Sequence, residues 1–201
     1  MSTKATSSEG EPVWDIARLF PEQGAWSEEE YLALETNRLV EFSHGTIDVL
    51  PMPTEAHQAI VAFMFEALLL FARPKGLGKV VFAPFRVRLW PGKVREPDLA
   101  FMLAQHASRR HNEYWDGADL LVEVVSDNDR RRDLETKRRE YAQAAIPEYW
   151  IVDPRDQVIT VLTLDEAGNY EERGRFETGS RAESALLPGF AVDVDAVLSA
   201  E

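Results

Sequence analysis

Residues 120–125 read Leu-Leu-Val-Glu-Val-Val, an apolar run broken only by Glu123. A short run apolar on both faces suits a central strand covered on both sides. It therefore predicts a sheet with further layers packed on each face. It also predicts a buried carboxylate, because an unpaired ionised Glu123 in that position would cost several kcal/mol. A metal ion, a Lys or Arg, or a retained proton would compensate it. An edge position facing water is the blander alternative.

The rest of the chain sets this strand in a mixed α/β pattern. Residues 1–25 read as a tail, and 26–201 as a single domain, a size that needs no covalent staples. Ser27, with Glu30 three residues on, predicts a helix start, with Tyr31, Leu34 and Leu39 as its apolar residues. Strands near Val40–Ser43 and Thr46–Leu50 meet at His44-Gly45 as a hairpin. A helix over Thr54–Phe71 aligns His57, Val61, Met64, Leu68 and Phe71 on one face. Strands are expected at Val80–Ala83, Phe85–Trp90 and Asp98–Leu103, with a turn at Pro91-Gly92-Lys93 and a loop or short helix over 104–118. After the 120–125 strand come a helix over Asp129–Ala145, a strand at Tyr149–Val152, and β-structure at Val158–Leu164, Tyr170–Phe176 and Ala185–Val194. Strand–helix–strand through 120–152 implies a crossover between parallel strands, and the hairpins imply antiparallel pairs.

Composition narrows the chemistry. With no cysteine among 201 residues, disulfides, thiolate nucleophiles, zinc fingers and iron–sulfur clusters are excluded, and a reducing cytoplasm is the expected setting. The apolar run Ala59–Ala72 is interrupted by Glu66 and suits a buried helix, and residues 1–12 have no apolar signal core, so no membrane is expected.

Two carboxylates stand at strand mouths. Asp98 follows Pro97 and opens the apolar run 99–103, while Glu123 lies inside the next long strand. Two acids converging on neighbouring strand ends make a hard oxygen site, suited to Mg²⁺ or Mn²⁺. On the following helix Asp133, Lys137 and Tyr141 form a four-step stripe, although Asp133 and Lys137 would also make an ordinary i,i+4 ion pair. Glu41 on its strand and His57 on its apolar helix face are further candidates, each with a plain structural reading as well.

The order Glu41 and Gly45, His57, Pro97-Asp98, Leu121-Val122-Glu123-Val124-Val125-Ser126, Asp133-x3-Lys137-x3-Tyr141, then Ile146-Pro147-Glu148-Tyr149-Trp150-Ile151-Val152-Asp153-Pro154 resembles the Uma-two (Uma2) family of the PD-(D/E)XK nuclease superfamily. The resemblance covers about residues 26–198. It implies a restriction-endonuclease-like core, a mixed sheet flanked by helices with a β-rich C-terminal part. It further implies hydrolysis of DNA phosphodiesters with Mg²⁺ or Mn²⁺ held by Asp98, Glu123 and the backbone carbonyl of Val124. The superfamily's usual lysine position, two residues after the strand acid, is Val125 here, and the resemblance implies that Lys137 takes its place. Glu41 matches an additional acid from the N-terminal part, and His57, Asp133 and Tyr141 are accessory candidates. The stretch Ser126-Asp127-Asn128-Asp129 departs from the family's usual Ser-Pro-Ser-Thr.

The net charge of −13 argues against coating nucleic acid through bulk charge. Residues 130–139 are the exception, where Arg130, Arg131, Arg132, Arg138 and Arg139 would meet a DNA backbone. A homodimer would suit a double-strand cutter. The alternative function is a catalytically inactive nuclease fold kept as a binding or oligomerisation module, supported by the acidity and the lack of a helix-turn-helix.

Overall fold

The computed structural model of the protein describes residues 20–36, 38–126 and 130–201. Chain order begins with a short helix α1 (Glu28–Leu32), capped as the sequence predicts. Ser27 accepts from the Glu30 N–H, and the Glu30 carboxylate accepts from the Ser27 N–H. The helix stops after little more than one turn, so Leu34 and Leu39 fall beyond it. Strands β1 (Val40–Ser43) and β2 (Thr46–Val49) form the expected hairpin. Its turn needs positive φ at both His44 and Gly45, at 46° and 86°. A side chain at Gly45 would strike the Gly24 carbonyl oxygen at 2.5 Å, because that carbonyl belongs to a segment bonded across the turn. The Gly24 and Trp26 N–H groups both donate to the Gly45 carbonyl, so the packed chain reaches back into the segment read as tail; residues 1–19 lie outside the described residues.

Helix α2 (Glu55–Ala72) follows, with Thr54 as its N-cap. By length and composition alone it is apolar enough to cross a membrane, at mean hydropathy 1.4. In the fold one face, Ile60, Val61, Met64 and Leu68, is buried on a sheet.

That sheet has six strands in the order β11-β10-β9-β8-β6-β3. They are β3 (Gly78–Phe82), β6 (Leu99–Leu103), β8 (Leu120–Val124), β9 (Glu148–Asp153), β10 (Val158–Leu164) and β11 (Tyr170–Glu177). Only β8 and β9 run parallel; the other pairs are antiparallel. All five residues of β8 are buried, as a central strand requires. Leu120, Val122 and Val124 face α2, while Leu121 and Val125 face a second core with Tyr141, Tyr149 and Ile151. Glu123 alternates with the first set and so belongs to the second face.

A second sheet, β2-β1-β5-β4-β7, adds β4 (Arg86–Trp90), β5 (Lys93–Arg95) and β7 (Tyr114–Asp116). Two of these strands correct the sequence expectation. Lys93–Arg95 is a strand and not part of a turn, because the turn closes at Gly92 (φ 87°) and β5 pairs with both β1 and β4. Tyr114–Asp116 is a strand within the segment read as a loop or short helix, parallel to β4, while a short 3₁₀ helix over Ala104–Arg109 precedes it.

Residues 127–129, where the expected helix over 129–145 would begin, lie outside the described residues; from Arg130 the crossover between β8 and β9 is helical, and Arg132–Lys137 winds as a π-helix before α3 (Arg138–Gln143). Within the β-structure expected over 185–194, Pro188-Gly189 forms the turn that its residues predict, and the strand is confined to β13 (Ala191–Asp193), which pairs with β12 (Arg181–Glu183) from just before that range. Asp193 then caps helix α4 (Val194–Leu198) through the Ala196 N–H.

Candidate active site

The register of β6 against β8 brings the two acids together. Leu99 pairs with Val122, so Asp98 and Glu123 are cross-strand neighbours at the end of the ladder, and Asp98 accepts from the Val124 N–H at 2.7 Å. The other Asp98 oxygen lies 3.0 Å from His57 Nε2, which α2 delivers from its first turn. Burial works against a charged His57 ring, yet the hydrogen bond and charge of Asp98, with Glu123 and Asp133 nearby, raise its pKa.

Glu123 is 2% exposed. Its Oε1 accepts from the Tyr141 hydroxyl at 2.5 Å and its Oε2 from Lys137 Nζ at 2.8 Å. Lys137 also contacts Asp133 Oδ1 at 3.0 Å, so both readings of that pair hold at once: an i,i+4 ion pair and a partner for the strand acid. Tyr149, from β9, donates its hydroxyl to the Asp133 carbonyl and fixes the π-helical turn. Burial, with Asp98 and Asp133 close by, pushes the Glu123 carboxyl up to about 8 against the pull of Lys137. Lys137 is raised as well: burial disfavours its charge, but Glu123, Asp133, Glu41 and Asp98 outweigh it.

Glu41 is buried and held by several donors. It accepts from both Arg95 and Arg132, and from the Glu96 N–H at 3.3 Å. Burial would raise its pKa, but Lys137, Arg95 and Arg132 hold it down at about 2. Arg95 in turn grips Glu140 with Nε at 2.8 Å and Nη2 at 2.9 Å, and Lys93 reaches Glu140 at 2.7 Å. This buried network ties β1 and β5 to the helix that carries Lys137. The sequence reading missed Lys93, Arg95 and Glu140. The available signal was the alternation Lys93-Val94-Arg95-Glu96 just before Pro97-Asp98.

Asp98, Glu123, Asp133 and Lys137 line a cleft of about 930 Å³, with His57, Val124 and Arg132. The same lining includes the apolar residues Leu39, Leu50, Pro51, Met52 and Pro53. The arginines expected on DNA are largely engaged within the protein. Arg130 is bidentate to Asp153 at 2.8 and 2.7 Å and also meets Asp156. Arg131 pairs with Glu135 while mostly exposed, Arg132 pairs with Glu41 and Asp48, and Arg138 donates to the Tyr170 carbonyl at 3.3 Å. Arg139 is exposed.

Among the described residues, no three His, Asp or Glu side chains converge to hold an ion unaided. The donor set still fits Mg²⁺ or Mn²⁺. Mg²⁺ keeps several waters and asks the protein for one or two carboxylates. Asp98 and Glu123 supply two, each oriented by a fixed donor, and Glu123 and Asp133 flank the ammonium of Lys137.

A central sheet with paired acids on neighbouring strands, and a lysine on the crossover helix, defines a restriction-endonuclease-like α/β fold. The chain belongs to the Uma2 family, whose description is "Putative restriction endonuclease"; its profile matches residues 28–195. A crystal structure of a protein described as a "putative nuclease belonging to DUF820 from Anabaena variabilis" aligns with TM-score 0.71 at 18% identity, over 87% of this chain and 98% of that one. The type IIG restriction endonuclease BpuSI aligns at TM-score 0.39 and 16% identity, over 74% of this chain and 18% of that one. Among curated proteins, none matches.

Proposed function

We propose that the protein is a divalent-metal-dependent endonuclease that hydrolyses DNA phosphodiester bonds, acting as a homodimer where both strands are cut. The observation that carries the reading is the meeting of Asp98, Glu123 and Lys137, from three separate segments, in the lining of one cleft in a chain of the Uma2 family.

Asp98 and Glu123 would hold Mg²⁺ or Mn²⁺, with the Val124 carbonyl as a further ligand. When bound, the ion supplies Lewis-acid charge at the scissile phosphate and an acidified water. His57 and the Val124 N–H hold Asp98 in orientation, and Tyr141 does the same for Glu123. Lys137 brings a buried ammonium to the phosphate, where it offsets the negative charge that grows as water adds to phosphorus. Asp133 keeps that ammonium charged and in place. Glu41 acts as a positioning residue behind Arg132, holding the basic wall of the cleft.

The test is nicking of supercoiled plasmid in Mg²⁺ or Mn²⁺, beside EDTA, Glu123→Gln and Lys137→Met. Metal-dependent nicking lost in both variants, with thermal unfolding retained, supports the reading. Undiminished nicking by both variants sinks it. One observation favours the second reading, an inactive fold serving as a binding module: Arg130, Arg131 and Arg132 are already paired internally. Under it the cleft acids show no metal affinity by calorimetry.

A further inference from the structure

The cleft has a mixed lining. Along with the acids and Lys137 it includes an apolar lip, the consecutive Leu50, Pro51, Met52 and Pro53, and Leu39. Met52 is 69% exposed and Pro51 is exposed beside it, so this apolar lip faces the solvent that a substrate would displace.

A continuous duplex offers such a lip nothing. Its bases are stacked inside, and it shows a protein its phosphates and sugars, which are bound by cations. Of the three described cations that line this cleft, Lys137 is engaged on Glu123 and Asp133 and Arg132 on Glu41 and Asp48, which leaves the exposed Arg155. A duplex-tracking protein typically makes about six to ten phosphate contacts, and a chain of net charge −13 is poorly supplied for that. An unpaired base is different. It presents a bare π-face, and apolar side chains hold extruded or single-stranded bases in this way. The volume of about 930 Å³ lies at the upper end of the range for pockets that enclose small ligands.

Resting on the nuclease reading above, we infer that the cleft takes an unpaired nucleotide, with the base against the Leu50–Pro53 lip and its phosphate toward Asp98, Glu123 and Lys137. The substrate class is then single-stranded or flapped DNA rather than uninterrupted duplex.

The experiment measures binding without hydrolysis. Fluorescence anisotropy in EDTA compares one oligonucleotide sequence as a single strand, as a duplex with a short single-stranded flap, and as a blunt duplex. The full chain is used as wild type, Met52→Asp and Leu70→Asp. Leu70 is exposed on α2 away from the cleft lining and serves as a control for added surface charge. The expected result is single-stranded and flapped DNA at least tenfold tighter than blunt duplex. Met52→Asp should cut that preference about fivefold or more at unchanged melting temperature, and Leu70→Asp should leave it intact. Equal or tighter binding of blunt duplex, a preference untouched by Met52→Asp, or no binding of any form overturns the inference. The nuclease reading fails separately: Glu123-dependent nicking with a duplex preference keeps that reading and discards the unpaired base. Single-strand preference without any metal-dependent hydrolysis does the reverse.

Discussion

Replacing Glu41 with Gln removes one charge from a buried network without changing its shape, so it isolates what that charge contributes. Glu41 is 1% exposed and accepts from Arg95, itself 4% exposed, and from Arg132. Removing one partner of a buried, hydrogen-bonded ion pair costs about 3–5 kcal/mol, because the other charge stays behind in a poor solvent. Proton linkage gives a second route to the magnitude. The Glu41 carboxyl falls from an ordinary 4.5 to about 2 in the folded protein. At about 1.4 kcal/mol per pH unit, that is about 3 kcal/mol. Because the folded pKa is depressed, this stability is present above pH 4.5 and is lost as pH falls toward 2. Urea unfolding of wild type and Glu41→Gln at a series of pH values tests both routes. The expected gap is about 3 kcal/mol at pH 7, or about 6–12 °C in melting temperature for a chain of this size. It should narrow as pH drops through 4.5. A gap that stays constant down to pH 3 would refute the electrostatic argument and leave only packing. A gap near zero at pH 7 would show that Arg95 is satisfied by Glu140 alone.

Three further outcomes follow from other contacts. Glu148 is buried and accepts from Trp150 Nε1, Ser184 Oγ and the Ala185 and Leu186 N–H groups, all at 2.7–2.8 Å. Glu148→Ala should therefore cost about 3–5 kcal/mol and strip hydrogen-exchange protection from the 185 and 186 amides, whereas loss of stability with those amides still protected would refute the clamp. Gly45→Ala should destabilise by about 2 kcal/mol or more in urea titration, since its φ is 86° and the new Cβ meets the Gly24 oxygen. Glu96 behaves oppositely to Glu41: burial pushes it up to about 7, against the Val40 N–H and Arg86. Its folded form holds a proton that the unfolded chain releases near 4.5, so it costs stability as pH rises from 4.5 to 7, and Glu96→Gln should gain on wild type across that window in thermal melts.

What was legible in the sequence divides by the range of the contact that determines it. The Ser27–Glu30 cap, the His44-Gly45 hairpin and the α2 stripe are local, and each appears in the fold. The buried β8 strand was legible because a run apolar on both faces admits few placements, and its one acid announced a partner. Which partner required register: Asp98 reaches Glu123 only because Leu99 pairs with Val122. Nothing local in residues 132–137 signals a π-helix, whose two buried charges, Asp133 and Lys137, pair with each other and with Glu123 from β8, while Tyr149 of β9 holds the Asp133 backbone carbonyl. The strand Lys93–Arg95 was hidden for the same reason. Two of its three residues are charged, which reads as surface, yet all three are buried, because Glu41 and Glu140 arrive from 54 and 45 residues away. Charged residues are legible as a site only when the apolar pattern around them says that they cannot reach water. Glu123 met that condition. Arg95 did not, so the network that carries the candidate site's second layer emerged only with the fold.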